Sequence, residues 1–455
     1  MNISKIEMTR RSALQLGGGA ALLTLLAACT PGGGGSSGQL QYWSGFATKD
    51  AEQWFKKNII DAFNATKPAA PAALSVKQFD TIDRLVQTAL AAGSGPDILL
   101  ASGPAQVRAY VEAGYVVPLD DFAKTLGWDT RILPWALQTG VVDGKLYALP
   151  SNYESLLTFY NPATLDDNGW TFPTTRDEFE AICAEAMGKG IMPVAAGNAD
   201  YQGASEWHVS IILNHAAGPE AVRQGLSGEI PFSDPVFVDA ITQLKGYFDK
   251  GWYGGSPEAY FTNSFTTGYQ NLAAGKAVFD FTGTWGLGEI APFFGSAAGN
   301  DAEWQWGAIP SLRDGVSDDI WELSLGGTFS VNASSKNPDV AADLIDFIMS
   351  DPERQGQGLA EVGYALAPIE ITAADFPADL DPRVSTLYEA IAAAPELGYT
   401  TWTFFPPKTD TYIIQGWDKV VTGDTSPAEY CQQIADTFAA ELAAGEVPAL
   451  PEVTA

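Results

Sequence analysis

Three cysteines and two histidines in 455 residues are too few for a disulfide-stapled scaffold or a multi-ligand zinc centre. Basic residues are scarce too: 25 Lys and Arg stand against 55 Asp and Glu, a formal charge of −30. So acidic a surface repels phosphate backbones, which excludes nucleic acid as a partner. The one long uncharged stretch, Ser12 to Ala28, is short for a bilayer span, and there is no second membrane segment and no internal repeat. Catalytic signatures are missing. There is no Gly-x-Ser-x-Gly elbow, no His-Glu-x-x-His and no Cys/His cluster, and Gly283-Thr284-Trp285-Gly286-Leu287-Gly288 lacks the spacing and basic residues of a phosphate loop. The acid pairs Asp166-Asp167 and Asp318-Asp319 are adjacent on turns and cannot flank a glycosidic bond. What the chain does have is apolar and aromatic mass: 46% hydrophobic residues, with 13 Trp, 16 Tyr and 23 Phe, enough for two or three cores and for flat ligand walls.

The N-terminus predicts export. Thr9-Arg10-Arg11-Ser12 precedes the apolar stretch as a positive n-region does, and the paired arginines resemble a twin-arginine signal, with the Sec route as the alternative. Leu26-Ala27-Ala28-Cys29 resembles a lipobox, so residues 1–28 read as a signal peptide and Cys29 as the lipidated residue; the alternative is an uncleaved anchor. Residues 29–38, rich in Gly and Ser, read as a flexible tether to the outer face of the cytoplasmic membrane. Loss of 1–28 removes Lys5, Arg10, Arg11 and Glu7, leaving a net charge of −32.

Beyond Gln39, short apolar runs alternate with amphipathic segments. Leu40-Gln41-Tyr42-Trp43 and Asp97-Ile98-Leu99-Leu100-Ala101 read as strands, and Ala51, Trp54, Phe55, Ile59, Ala62 and Phe63 fall at helical spacing. This alternation predicts an α/β fold with mostly parallel strands. Thr175-x-x-Glu178 and Ser426-Pro427-Ala428-Glu429 read as capped helix starts, the first aligning Phe179, Ile182, Cys183, Ala186 and Met187, the second Cys431, Ile434, Ala435, Phe438 and Leu442. Cys183 and Cys431 are either two buried thiols or one disulfide; neither reads as catalytic.

The order of motifs resembles the family of bacterial extracellular solute-binding lipoproteins of the carbohydrate ABC-importer type, the maltose-binding-protein-like group. The resemblance rests on Pro96-Asp97-Ile98-Leu99-Leu100, Gly114-Tyr115-Val116-Val117-Pro118-Leu119-Asp120, Asp143-Gly144-Lys145-Leu146-Tyr147-Ala148-Leu149-Pro150, Trp170-Thr171-Phe172-Pro173-Thr174-Thr175, Gly283-Thr284-Trp285, Gly326-Gly327-Thr328-Phe329 and Asn337-Pro338-Asp339-Val340. It runs from Gln39 to about Leu442, loosely between Tyr201 and Asn263. It implies a two-lobed periplasmic-binding-protein-like fold with hinge crossovers: an N-terminal lobe of residues 39–153 plus 324–380 and a C-terminal lobe of 154–323 plus 381–455. It further implies a mono- or oligosaccharide held in the cleft, delivery to ABC permease transmembrane subunits, no cofactor and no catalysis.

Sugars present hydroxyl rims and flat C–H faces, so the candidate ligand residues are aromatic or short polar side chains. They are Trp43 and Ser44 after the first strand, Asp83 on the second helix, Ser102 after the third strand and Glu154 on the first crossover. The other lobe contributes Trp207, His208, Trp285 and Trp402, and the Gly326-Gly327 pair, where backbone must bend or be approached closely, contributes Gly327. Each has a plainer role beside it: lobe packing for Trp43 and Trp285, a helix N-cap for Ser102, a solvated charge for Asp83 and Glu154. A carbohydrate-active hydrolase or lyase is the alternative from another class, and the same fold with a polyol, sugar phosphate, peptide or metal chelate is a third reading.

Overall fold

The computed structural model describes residues 38–448 and 450, apart from 47, 79, 80 and 102. The predicted leader, Cys29 and nearly all of the tether lie outside the described residues. Among the described residues twelve strands form the framework: β1 (Leu40–Ser44), β2 (Ala72–Val76), β3 (Ile98–Ala101), β4 (Val141–Val142), β5 (Lys145–Leu146), β6 (Leu149–Glu154), β7 (Leu156–Tyr160), β8 (Met192–Val194), β9 (Ala277–Gly283), β10 (Gln305–Gly307), β11 (Ile320–Val331) and β12 (Glu396–Tyr399).

One sheet runs β12-β11-β3-β1-β2, with β6 also on β11; a second runs β10-β7-β9-β8; β4 and β5 pair alone. The β1–β2, β1–β3, β11–β12 and β8–β9 pairs are parallel. Those of β11 with β3 and β6, and of β7 with β9 and β10, are antiparallel. The sheets are therefore mixed, where the sequence pattern predicts mostly parallel ones. Two connections account for this. The chain leaves β6 at Glu154 and enters β7 at Leu156, so Ser155 alone carries it from one sheet to the other. Twelve-residue β11 returns through the first sheet against β3 and β6 while its first half pairs with β12.

Local chemistry explains the elements. In β1, Leu40, Tyr42 and Ser44 are buried, and Gln41 and Trp43 occupy the opposite, half-buried face. Thr175 and Glu178 close a reciprocal capping box on helix Arg176–Gly188, and Ser426 with Glu429 does the same on Pro427–Ala443. Pro338 starts helix Pro338–Met349, whose Val340, Ala341, Leu344, Ile345 and Ile348 are buried. Cys183 and Cys431 are separate, buried, free thiols on these apolar stripes. Met187 and Leu442 sit at the stripes' rims, each 38% exposed, where the sequence pattern places them in the core.

Apolar side chains gather into two main cores. One packs Leu40, Tyr42, Phe55, Ile98, Leu149 and Phe329 with Leu344 and Ile345. The other packs Phe179, Val209, Phe248, Phe279 and Phe281 with Phe404, Trp417 and Phe438. A third group, including Phe159, Leu287, Trp321, Leu359 and Leu366, draws residues from both sheets' surroundings.

Candidate ligand site

Strand β9 ends at Gly283, and the chain turns through Thr284 and Trp285 into helix Gly286–Glu289. The half-buried Trp285 ring folds back over the strand end. A methyl group on Gly283 would fall 2.0 to 2.4 Å from three ring carbons, so a bare backbone is what lets the ring lie there. Trp207, half-buried on helix Ala204–Ile212, stands 5.0 Å from Trp285 between ring centroids. Phe265 stacks on Trp207 at 5.6 Å, and Tyr201 flanks it at 6.2 Å. Trp402, on the turn Thr401–Phe404, meets Trp285 edge-on at 6.3 Å. A Cβ on Gly103 would come 2.7 Å from the Trp402 carbonyl oxygen, so the loop after β3 abuts this wall. Rings from four chain segments thus form one aromatic surface.

A polar group comes from the strand pair β6–β11. Asn152 Nδ2 donates to Glu154 Oε1 at 2.9 Å, and Ser151 Oγ donates to Asn152 Oδ1 at 2.6 Å. Both side chains cross Gly326, where a Cβ would sit 2.2 Å from Glu154 Oε1 and 2.3 Å from Asn152 Nδ2. The register of β6 on β11 breaks at this point. Burial pushes the Glu154 carboxyl up to about 7; the Asn152 bond opposes the rise and the charge of Glu289 adds to it. Glu289 is itself raised by burial and accepts from the Tyr269 hydroxyl at 2.8 Å. Asp280, 7% exposed in the middle of β9, is pushed up to about 8 by burial and then by Glu289.

Trp207, Trp285 and Trp402 therefore come together, and Glu154 stands on the neighbouring strand pair. The other described candidates do not join this ring cluster. His208 lies behind the wall, 3% exposed, with its ring edge-on to Tyr253 at 5.0 Å; burial drives its pKa down to about 3. Gly327 is buried under Ser151 Oγ and the Ala101 carbonyl, and Gly326 is the exposed member of the pair. A strand's side-to-side alternation, shifted by the bulge, exchanges the two. Trp43 carries the Lys77 ammonium 4.2 Å above its ring and makes no ring contact with the wall among the described residues. Ser44 is 8% exposed and its hydroxyl bonds the Gly45 carbonyl. Ser102 and the Asp83 side chain lie outside the described residues.

Phe265, Glu289 and Asp280 are site neighbours that the motifs do not point to. Asp280 had a signal: a lone acid inside the apolar run Ala277-Val278-Phe279-Asp280-Phe281. Among the described residues no set of three His, Cys, Asp or Glu side chains is placed to hold a metal ion, and no helix is long and apolar enough to cross a membrane.

Two α/β sheets with separate cores, joined at Ser155 and along β11, define the two-lobed architecture of periplasmic solute-binding proteins. The solved structure of a chitin oligosaccharide binding protein superposes with a TM-score of 0.76 over 90% of this chain and 100% of that one, at 22% identity. An ABC transporter solute binding protein from Thermotoga lettingae bound with alpha-D-tagatose superposes with a TM-score of 0.71 over 88% and 99%, at 18% identity. At such identities the likeness concerns the fold. Residues 58–380 match the family model for bacterial extracellular solute-binding protein, and the chain belongs to that family. It is 30% identical over 188 residues to a probable sugar-binding periplasmic protein of Mesorhizobium japonicum, covering 40% of this chain and 42% of that protein. It is 27% identical over 213 residues to one from Brucella melitensis, covering 45% and 48%. The match thus spans somewhat under half the length of these relatives.

Proposed function

We propose that the protein captures a mono- or oligosaccharide between its lobes and delivers it to the transmembrane subunits of an ABC importer, held at the membrane by lipid on Cys29. The N-terminal lobe comprises residues 39–153 and 324–380, the C-terminal lobe 154–323 and 381–455; the two apolar cores and the single-residue step at Ser155 support this division. The observation that carries the reading is the wall of Trp207, Trp285 and Trp402 beside the Asn152–Glu154 amide–carboxyl pair. Indole faces stack on sugar C–H surfaces, and a carboxyl with an amide can accept and donate along a hydroxyl rim. Closure follows from ligand affinity, since a ligand moves the open–closed equilibrium only by its preference for the closed state.

A thermal-shift screen over a saccharide library tests this. A saturable rise in Tm without turnover of the ligand is expected. Trp285→Ala should weaken the best ligand by about 1 to 3 kcal/mol, the loss of one stacking platform. Product formation from a glycan, or no saccharide binding at all, would overturn the reading.

A further inference from the structure

The stacking wall leaves the polar groups behind it unexplained. Beneath Trp207 and Phe265 lies a cavity of about 20 Å3, room for one or two groups the size of a water molecule. Asp280 and Thr282, two residues apart on β9, line one side of it, and His208 lines it as well. No hydrogen bond to the Asp280 carboxyl is found among the described residues, and the residue is 7% exposed; Thr282 Oγ1 and His208 Nδ1 are unpartnered too, but those two atoms are sealed from the cavity. Tyr269, on the same lining, ties in Glu289 through its hydroxyl. No lysine or arginine bonds either carboxyl among the described residues.

We propose that this cavity is a subsite for the protonated primary amine of an amino-sugar unit whose ring lies on the aromatic wall. The inference rests on the saccharide-binding reading above and narrows its substrate class. An ammonium group is about the size of a water, has three donors and no acceptor, and carries the charge that buried carboxyls need. The Asp280 carboxylate supplies the acceptor oxygens that line the cavity. The Trp207, Phe265 and Tyr269 rings add faces that favour a cation. A hydroxyl is neutral and brings no charge to a carboxylate that has no other cation beside it. An acetamido group is too bulky for the cavity and carries no charge.

The empty and filled states differ by a proton. With its carboxyl held near 8, Asp280 keeps a proton at neutral pH in the empty cavity. The groups facing it are Glu289, the Tyr269 phenol, raised by burial and by the charges of Glu289, Asp280 and Asp200, and His208, neutral above about pH 4. An arriving ammonium pairs with the carboxylate and expels that proton to solvent.

The test is calorimetric titration of the full chain at pH 7 with matched sets: D-glucosamine, D-galactosamine and D-mannosamine, each beside its N-acetyl derivative and parent hexose, together with the corresponding β-1,4 dimers. Two buffers of different ionisation enthalpy report proton release. Amine-bearing probes should bind at least about ten-fold tighter than their neutral partners and release up to one proton. Asp280→Asn should bring the amine-to-neutral ratio close to one. Neutral or N-acetylated probes binding as tightly as the amines, or amine binding without proton release, would overturn the inference while leaving the saccharide reading intact. If no saccharide in the wider library binds, both fall. Should Asp280→Asn fail to fold, the wild-type ratio and proton release decide.

Discussion

Gly283→Ala is the most discriminating perturbation of the wall, because it moves a ring without removing it. Gly283 is not among the glycines with positive φ, so alanine fits its backbone. The added methyl, however, would stand 2.0 Å from Cζ3, 2.3 Å from Cε3 and 2.4 Å from Cη2 of Trp285. Carbon atoms settle at about 3.5 to 4.0 Å, so the overlap exceeds an ångström and the ring must swing away. That motion forfeits the ring contacts at 5.0 Å to Trp207 and 6.3 Å to Trp402, each worth about 0.5 to 1.5 kcal/mol. The expected stability loss is therefore about 1 to 3 kcal/mol. The loss in ligand affinity should be of the same order, roughly ten- to hundred-fold, because the stacking platform is displaced. Gly246→Ala is the control: nothing lies within 4 Å of its would-be Cβ inside helix Pro235–Asp249. That change should raise stability by about 0.5 to 1 kcal/mol and leave affinity alone. Calorimetric Kd and thermal melts of the two variants decide. Wild-type affinity in Gly283→Ala would remove Trp285 from the site and refute the reasoning.

Raised carboxyls make stability fall as pH rises: Asp410 sits near 6, Glu154 near 7 and Asp280 near 8. In each, the native state holds the proton that the unfolded chain releases near pH 4, so the contribution is full below about 4 and lost by about 8. Melts from pH 4 to 9 should show a declining Tm; a rise across that window would contradict the burial of these groups. Gly363 has φ +64 and a would-be Cβ 2.4 Å from the Gly288 Cα, so Gly363→Ala should destabilise by about 1 to 3 kcal/mol in chemical denaturation, and a neutral result would deny that the two backbones touch. Cys29→Ala should shift the protein from membrane to soluble fractions on extraction, and unchanged partitioning would rule out lipid at that sulfur.

The sequence was most informative where local chemistry is sufficient. Capping boxes at Thr175 and Ser426, the proline at 338 and the unbroken apolar run at 98–101 each act within a few residues, and each element stands as its pattern predicts. Strand direction in the sheets is a long-range property. Nothing near Ile320 announces that β11 will run antiparallel to β3, more than 200 positions earlier. At the site, the motif-borne Trp285 and the looser Trp207 and Trp402 do meet. On a helix, neighbouring residues point about 100° apart, so Trp207 joins the rings while His208 is buried behind them, a difference the adjacent letters do not show. Of Gly326 and Gly327 the first is exposed and the second buried, at a register break that no local pattern announces.

Several glycines here serve close approach, a use that a sequence pattern does not distinguish from turn-making. Gly283 admits the Trp285 ring, Gly286 admits Phe159, Gly326 admits Glu154 and Asn152, and Gly288 with Gly363 lets two backbones meet. Three of these, Gly283, Gly286 and Gly288, bracket or directly follow Trp285. The segment that carries the ring is thus held from below by Phe159 and from the side by the end of helix Pro352–Val362, with no side chain of its own in between. A ring seated in that way has few alternative positions, and a rigid platform loses little conformational entropy when a ligand arrives. Trp43 contrasts with it. Its face is already covered by the Lys77 ammonium, so a ligand stacking there would first have to displace a cation worth roughly 0.5 to 1 kcal/mol at an exposed site. If the proposed reading holds, binding strength concentrates at Trp285 and Trp207, and substitutions at Trp43 should cost measurably less affinity than those at Trp285 in the same titration.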